Sequence, residues 1–275
     1  MLHRPESLGE AVGFLSSDAD AKPLAGGASL VAMLNARLVE PSALISLARL
    51  KELRGVTVLA DGTVRIGAMT RHREVAEISA LAGPQEVLRQ AAAAIANPTI
   101  RAMGTIGGSV ALNDPGADYP PALLALSATM EIVGSSGTRH VAAADYFLDW
   151  YTTALAPGEL VAAVQLPPAS ASAGGGVYHK LARVAGDFAI VSVAITVQTG
   201  GRVRAVIGAC GPRPLSLEEA DAELERGNVA AAGTLLAEAA DPVDDNRASA
   251  AYRRRIIPRM LGRAFTEAHA QERAS

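Results

Sequence analysis

The stretch Thr105-Ile106-Gly107-Gly108-Ser109 places a pair of glycines inside an apolar run, between two residues with hydroxyl side chains. Turn chemistry alone explains such a pair poorly, because the surrounding run is apolar. Glycine inside a strand weakens that strand and often marks a point where a ligand approaches the backbone closely. The flanking hydroxyls are suitable donors to such a ligand. The stretch therefore indicates one wall of a binding site.

A second glycine pair lies earlier in the chain, between a strand-like segment and the predicted start of a helix near Ser29. Successive N–H groups in such a turn form an anion-binding concavity, and the helix that follows adds its positive end. Ser29 can either cap that helix or donate its hydroxyl to a phosphate. Together the two loops indicate two walls around one polyphosphate. The first loop consists of Ala25, Gly26, Gly27, Ala28, Ser29 and Leu30.

The composition is that of an ordinary globular protein. The chain has 275 residues, of which 49% are hydrophobic and 19% charged, and its net charge is −3. This balance does not indicate a nucleic-acid partner, which favours a concentrated basic face. The longest apolar stretch, residues 188–197, is shorter than the ~20 residues that span a bilayer. Because the N-terminus also lacks the apolar core of a signal peptide, we expect a cytoplasmic location.

The search for catalytic and metal motifs mainly excludes protein classes. The single cysteine, Cys210, excludes an internal disulfide, a cysteine-ligated zinc site and an iron–sulfur cluster held by this chain alone. No G-x-G-x-x-G follows a predicted strand, and neither a P-loop nor H-E-x-x-H is present. The five histidines are scattered singly. The sequence therefore predicts no metal site and assigns no catalytic residue.

Local patterns place several elements before residue 167. A capping box from Ser7 to Glu10 predicts a first helix, because both side chains then satisfy free N–H groups. The pair Asp61-Gly62 between two β-rich runs predicts a hairpin. A second hairpin is predicted across residues 135–137.

Beyond that point the pattern simplifies. Residues 167–176 are rich in Pro, Ala, Ser and Gly and are the predicted linker. Helices are predicted over 228–240 and 248–270, and a second capping box over 216–219. The arginine run 253–255 is interpreted as a solvated helix face or a subunit contact. Strands followed by segregated helices predict an α+β arrangement. The predicted strands cover residues 177–184, 188–198 and 203–209.

With both glycine loops in view, the sequence resembles the FAD-binding (medium) subunit of the molybdenum hydroxylase family, which is similar to the flavin domain of xanthine dehydrogenase. Further segments agree in the same order along the chain, at residues 66–72, 95–101, 114–118 and 178–189. The resemblance implies an α+β fold in which a two-subdomain FAD-binding region precedes a small C-terminal domain. That domain would pack a three-stranded antiparallel sheet with helices. The implied boundaries are 1–55, 56–170 and 171–275.

The resemblance also implies roles for individual residues. The two glycine loops would bind the pyrophosphate and the adjoining sugar. Asp118 would accept a hydrogen bond on the flavin side of the cofactor, and Val161 would lie against the ring. Lys180 would reach the isoalloxazine edge and tune the flavin, because a cation there favours the anionic reduced form. The alternatives are a helix cap for Asp118 and a solvated strand end for Lys180. The implied residues are Ala25, Gly26, Gly27, Ala28, Ser29, Leu30, Thr105, Ile106, Gly107, Gly108, Ser109, Asp118, Val161 and Lys180.

The function implied is that of an FAD-carrying electron-transfer subunit. A large partner would hold the molybdenum cofactor, and a small partner would hold the [2Fe–2S] clusters that deliver electrons to noncovalent FAD. The electrons would leave to an external acceptor, and the assembly would be a dimer of heterotrimers. Two alternatives stay open: a self-contained FAD-dependent oxidoreductase that binds its own substrate, and a scaffold with a vestigial nucleotide site.

Overall fold

The computed structural model describes residues 1–168, 174–198 and 200–274. Half of the predicted linker, residues 169–173, lies outside the described residues. Its last three residues, 174–176, are wrongly assigned, because they begin the strand Gly174–Leu181 and pair with a neighbouring strand. Within the described ranges the strands form two three-stranded sheets, one five-stranded sheet and one two-stranded ribbon. No described helix is both long enough and apolar enough to cross a membrane.

The N-terminal part is a small parallel sheet with strand order β1-β3-β2. The first helix, α1, begins as predicted, since the Ser7 hydroxyl accepts a hydrogen bond from the Glu10 N–H at 3.2 Å. The second half of that capping box is wrong, because the Glu10 carboxylate accepts from the Glu6 N–H instead. The elements are β1 (Leu2–His3), α1 (Leu8–Ser17), β2 (Lys22–Leu24), α2 (Leu30–Asn35) and β3 (Leu44–Ser46).

The central part is an antiparallel sheet with strand order β4-β5-β10-β6-β7, packed against helices. Both predicted hairpins are confirmed, as β4–β5 and as β6–β7. The elements are β4 (Val56–Val58), β5 (Val64–Gly67), α3 (His72–Ala76), α4 (Glu86–Ala94), α5 (Pro98–Met103), α6 (Ile106–Leu112), α7 (Tyr119–Ala125), β6 (Thr129–Gly134), β7 (Gly137–Ala142), α8 (Ala143–Tyr146), β8 (Phe147–Asp149), β9 (Thr152–Thr153) and β10 (Leu160–Leu166).

The second glycine stretch differs from its strand-like interpretation, because it forms the first turn of helix α6. The Thr105 hydroxyl caps this helix by accepting the Gly108 N–H at 3.2 Å. A side chain at Gly107 would collide with Ala68 and stand 2.8 Å from the Ala68 carbonyl oxygen. Close approach at Gly107 is therefore made by the chain that leaves β5. A seven-residue helix that contains two glycines carries too little periodic signal to be recognised from the sequence.

The C-terminal part confirms the predicted three-stranded antiparallel sheet, with strand order β11-β12-β13, followed by helices. Both faces of this sheet are covered: Val193 faces the core shared with the last helices, whereas Ala194 packs into the central core. Burial on both faces explains why the middle strand is almost continuously apolar. The elements are β11 (Gly174–Leu181), β12 (Val191–Gln198), β13 (Val203–Gly208), α9 (Glu218–Glu225), α10 (Val229–Ala239) and α11 (Ala250–Ala274).

Two C-terminal predictions are wrong in detail. Leu217, not Ser216, directly precedes α9, and no side chain caps that helix. The arginine run is not wholly a solvated face, because the Arg253 side chain is only 5% exposed. It donates to the Ile190 carbonyl oxygen and to Asp245, both at 2.6 Å. Arg253 therefore ties α11 to the segment that enters β12.

Candidate functional site

A cavity of about 530 Å³ lies where the three parts of the chain meet. Most residues implied by the family resemblance line it. Ile106 is the exception, because its side chain is fully buried in the central core. The implied residues that line the cavity are Ala25, Gly26, Gly27, Ala28, Ser29, Leu30, Thr105, Gly107, Gly108, Ser109, Asp118, Val161 and Lys180.

The first glycine loop contributes free N–H groups to this cavity. Between the end of β2 and the first turn of α2, the N–H groups of residues 26–30 donate no hydrogen bond to any other described residue. Gly27 has φ +77°, which suits glycine and turns the chain sharply. Ser29 precedes α2 without a capping bond, so its hydroxyl remains available to a ligand. Such a row of unused donors suits an anion.

The glycine at the start of this loop has a separate, structural role. A Cβ on Gly26 would collide with the Met103 carbonyl oxygen and lie 2.9 Å from the Gly104 Cα. Only a glycine lets the first loop contact the end of α5 so closely. In the first turn of α6, a Cβ on Gly108 would lie 3.7 Å from the Ala25 Cβ. The two glycine loops are therefore direct neighbours across one wall of the cavity.

The second loop offers fewer donors than the sequence suggests. The Ile106 and Gly107 N–H groups donate to the carbonyl oxygens of Thr70 (3.0 Å) and Ala68 (2.9 Å). The protein itself thus satisfies the first N–H groups of α6. What this loop presents to the cavity is a wall and the Ser109 hydroxyl, while the first loop holds the unused N–H donors.

A buried ion pair also lines the cavity, formed by Asp118, which directly precedes α7, and Lys180 on β11. The Lys180 ammonium is 3.0 Å from the Asp118 carboxylate, and the two side chains are 9% and 6% exposed. Lys180 also donates to the Ala94 carbonyl oxygen at 3.1 Å, and the Tyr178 hydroxyl donates to Asp118 at 2.6 Å. The helix-cap alternative for Asp118 is wrong, because its side chain makes no capping bond. The solvated alternative for Lys180 is wrong as well.

The charges of this pair are balanced within the protein. Burial raises the pKa of Asp118, while Lys180 and the hydrogen bond from Tyr178 oppose that rise. A carboxylate offers about four acceptor positions. Tyr178 and Lys180 do not use all of them, so Asp118 keeps capacity for a hydroxyl donor in the cavity.

Two residues of this site, Tyr178 and His72, are not among the site residues predicted from the sequence. Tyr178 stands two positions before Lys180 on one strand, a spacing that places both on the same face and could have revealed it. His72 also lines the cavity. It ends the segment 66–72 that shares the family resemblance, but neither its residue type nor its spacing assigns it a role. Its Nδ1 lies 3.0 Å from the Tyr119 hydroxyl. Burial, with a contribution from Arg101, lowers the pKa of His72 to about 4.

Comparisons with known proteins agree with this architecture. Residues 1–169 match the model of the FAD binding domain in molybdopterin dehydrogenase, and residues 176–268 match that of the CO dehydrogenase flavoprotein C-terminal domain. The chain is 38% identical to the carbon monoxide dehydrogenase medium chain of Afipia carboxidovorans, covering 98% of this chain and 96% of that protein. It is 33% identical to the glyceraldehyde dehydrogenase medium chain of Sulfolobus acidocaldarius, covering 96% of each.

A solved structure shows the same fold. Carbon monoxide dehydrogenase from Hydrogenophaga pseudoflava superposes with a TM-score of 0.93 at 35% identity, covering 98% of this chain and 97% of that one. The predicted α+β fold and the prediction of FAD as the cofactor are thereby confirmed. The chain belongs to the family of FAD-binding oxidoreductase subunits of molybdenum hydroxylases.

Proposed function

We propose that this chain is the FAD-carrying electron-transfer subunit of a multi-subunit molybdenum hydroxylase. The observation that carries the proposal is the row of unused N–H groups at residues 26–30, on a loop that lines the same cavity as the buried Lys180–Asp118 pair. A diphosphate needs such donors, and the redox end of a flavin benefits from a nearby cation.

The residues present fit FAD. The N–H groups of the first loop and the Ser109 hydroxyl would hold the diphosphate, and Asp118 would accept from a hydroxyl on the flavin side. Val161, only 4% exposed, would present an apolar surface to the ring, while Lys180 would favour added negative charge on it. When bound, FAD supplies reversible uptake and release of electrons. The chain's own groups position it and exclude water.

The proposed route brings electrons from [2Fe–2S] clusters on a small partner subunit and passes them to an external acceptor. The substrate would be oxidised at a molybdenum cofactor on a large partner. Two observations support this division of labour. Cys210 is the only cysteine, and the described residues contain no cluster of three or more potential metal-ligating side chains. We further propose a dimer of heterotrimers in the cytoplasm.

We also propose subdomain boundaries at 1–55, 56–170 and 171–275. The described residues form three hydrophobic clusters, each centred on one of the three main sheets. Because the cavity lies among these clusters, the cofactor would join all three parts. Removal of one part would then abolish binding rather than weaken it.

The test is affinity purification of the tagged full chain from its native host, with metal analysis and an absorption spectrum. We expect flavin bands that mild denaturation releases, together with two further polypeptides, molybdenum and iron. The chain alone, loaded with FAD, should not be reduced by carbon monoxide or glyceraldehyde. Reduction of the isolated chain by either compound would instead support the self-contained oxidoreductase, and a chain that never takes up FAD would overturn the proposal.

A further inference from the structure

We propose that His72 is a further cofactor-binding residue, whose neutral imidazole donates its Nε2–H to a diphosphate oxygen of FAD beside the first glycine loop. The inference rests on the proposed function, because it requires FAD in this cavity. It adds a side-chain donor from a residue that lies outside both glycine loops and outside the ion pair.

The hydrogen bond to Tyr119 determines which ring nitrogen carries the proton. Tyr119 is fully buried, and its hydroxyl has one hydrogen-bond partner among the described residues, His72 Nδ1. Burial raises the pKa of Tyr119 well above its ordinary value, so the hydroxyl keeps its proton. A buried hydroxyl that donates to no acceptor is costly. The hydroxyl must therefore donate to Nδ1, and in a neutral imidazole the proton then resides on Nε2.

The His72 ring is neutral because its side chain is buried and because a guanidinium lies nearby. The His72 side chain is enclosed by the central core and the cavity wall, with only 5% of the residue exposed. The Arg101 guanidinium, held by the carbonyl oxygens of Ile95 and Ala96, opposes a second positive charge nearby. A neutral His72 therefore offers the cavity one fixed donor.

The position of Nε2 identifies the part of the cofactor that it meets. A side chain on Gly104 would collide with Nε2, and the His72 N–H donates to the Gly104 carbonyl oxygen at 3.0 Å. Gly26 packs against the same Gly104 Cα. The ring thus lies beside the junction of the two glycine loops, where the free N–H groups of residues 26–30 begin. Nε2 has no hydrogen-bond partner among the described residues, which leaves its proton for the ligand.

A matched pair of variants separates cofactor binding from a structural role. The side-chain nitrogen of glutamine overlays His Nε2 as a donor, whereas the side-chain oxygen of asparagine can occupy the Nδ1 position and accept from the Tyr119 hydroxyl. His72→Gln keeps a donor toward the cavity and loses the Tyr119 partner, while His72→Asn does the reverse. We expect the FAD Kd of His72→Gln to stay within about threefold of the unaltered chain and that of His72→Asn to rise about tenfold or more. The reverse order would overturn the inference.

A measurement on the unaltered chain covers the case in which a variant fails to fold. Nitrogen-15 NMR of the imidazole reports which nitrogen is protonated, with and without FAD. We expect a proton on Nε2 in both states, and a shift of the Nε2–H resonance when FAD binds that ADP reproduces and riboflavin does not. A proton on Nδ1, or an Nε2–H resonance unmoved by bound FAD, would overturn the inference alone. Absence of FAD binding to the unaltered chain would instead refute the proposed function.

Discussion

Replacement of Gly107 by alanine should destabilise the protein before any cofactor is considered. The new Cβ would collide with the Ala68 side chain and lie 2.8 Å and 2.9 Å from the Ala68 carbonyl oxygen and Cα. Two of these three atoms belong to the backbone, so a rotamer change cannot relieve the overlap. Overpacking of this kind lowers the free energy of unfolding by up to about 3 kcal/mol, whereas the higher helix propensity of alanine raises it by about 1 kcal/mol. We therefore expect the free energy of unfolding to fall by roughly 2 kcal/mol.

The neighbouring glycine provides the matched control. A Cβ on Gly108 would meet the Thr105 hydroxyl at 3.1 Å and the Ala25 Cβ at 3.7 Å, which a small side-chain adjustment accommodates. Gly108→Ala should therefore leave the stability of the FAD-free chain within about 1 kcal/mol of the unaltered value. Because the new methyl group narrows the gap between the two glycine loops, FAD affinity should fall instead.

The assay is thermal unfolding of FAD-free protein followed by circular dichroism, with FAD affinity measured separately by fluorescence quenching. A loss of roughly 2 kcal/mol corresponds to a midpoint lowered by about 4–8 °C in a chain of this size. Gly107→Ala should show this shift and Gly108→Ala should not. A Gly107→Ala chain as stable as the unaltered one, yet unable to bind FAD, would refute the packing argument and assign Gly107 to the cofactor.

Three further predictions concern the ion pair and the buried histidine. Lys180→Ala should lower the flavin midpoint potential in a redox titration, because the cation that favours the reduced form is gone; an unchanged potential would place Lys180 away from the ring. Tyr178→Phe should cost about 1–3 kcal/mol in urea unfolding of the FAD-free chain, since Asp118 loses a buried donor, and an unaltered midpoint would contradict this. Because the pKa of His72 is lowered to about 4, its contribution to the free energy of unfolding should be fully present above pH ~6.5 and should fall by up to about 3 kcal/mol toward pH 4. His72→Gln should lack this pH-dependent contribution, and an identical pH profile of stability in both proteins would count against it.

Much of the fold follows from local sequence patterns. The hairpins and the C-terminal sheet were predictable because turn residues and apolar runs are properties of neighbouring residues. Helix α6 was not, since Gly107 and Gly108 lower its helix propensity and its stability comes from packing against Ala68 and from the Thr105 cap. The burial of Arg253 could not be predicted for a related reason: the carbonyl oxygens that accept from its guanidinium belong to Ile190 and Ala209, which flank β12 and β13 and are distant in sequence.

The candidate site divides in the same way. The motifs at residues 25–30 and 105–109 predict by themselves two loops of one site, and residues of both loops line the cavity, because glycine and hydroxyl side chains can be recognised one stretch at a time. Tertiary structure alone decides which N–H groups stay free, since the Ile106 and Gly107 N–H groups of the second loop donate to carbonyl oxygens of the chain that follows β5. It also decides that Lys180 is paired with Asp118 and that His72, which lines the cavity, has its Nδ1 beside the Tyr119 hydroxyl. Hydrogen-bond partners remote in sequence set both outcomes, and a local pattern cannot encode them.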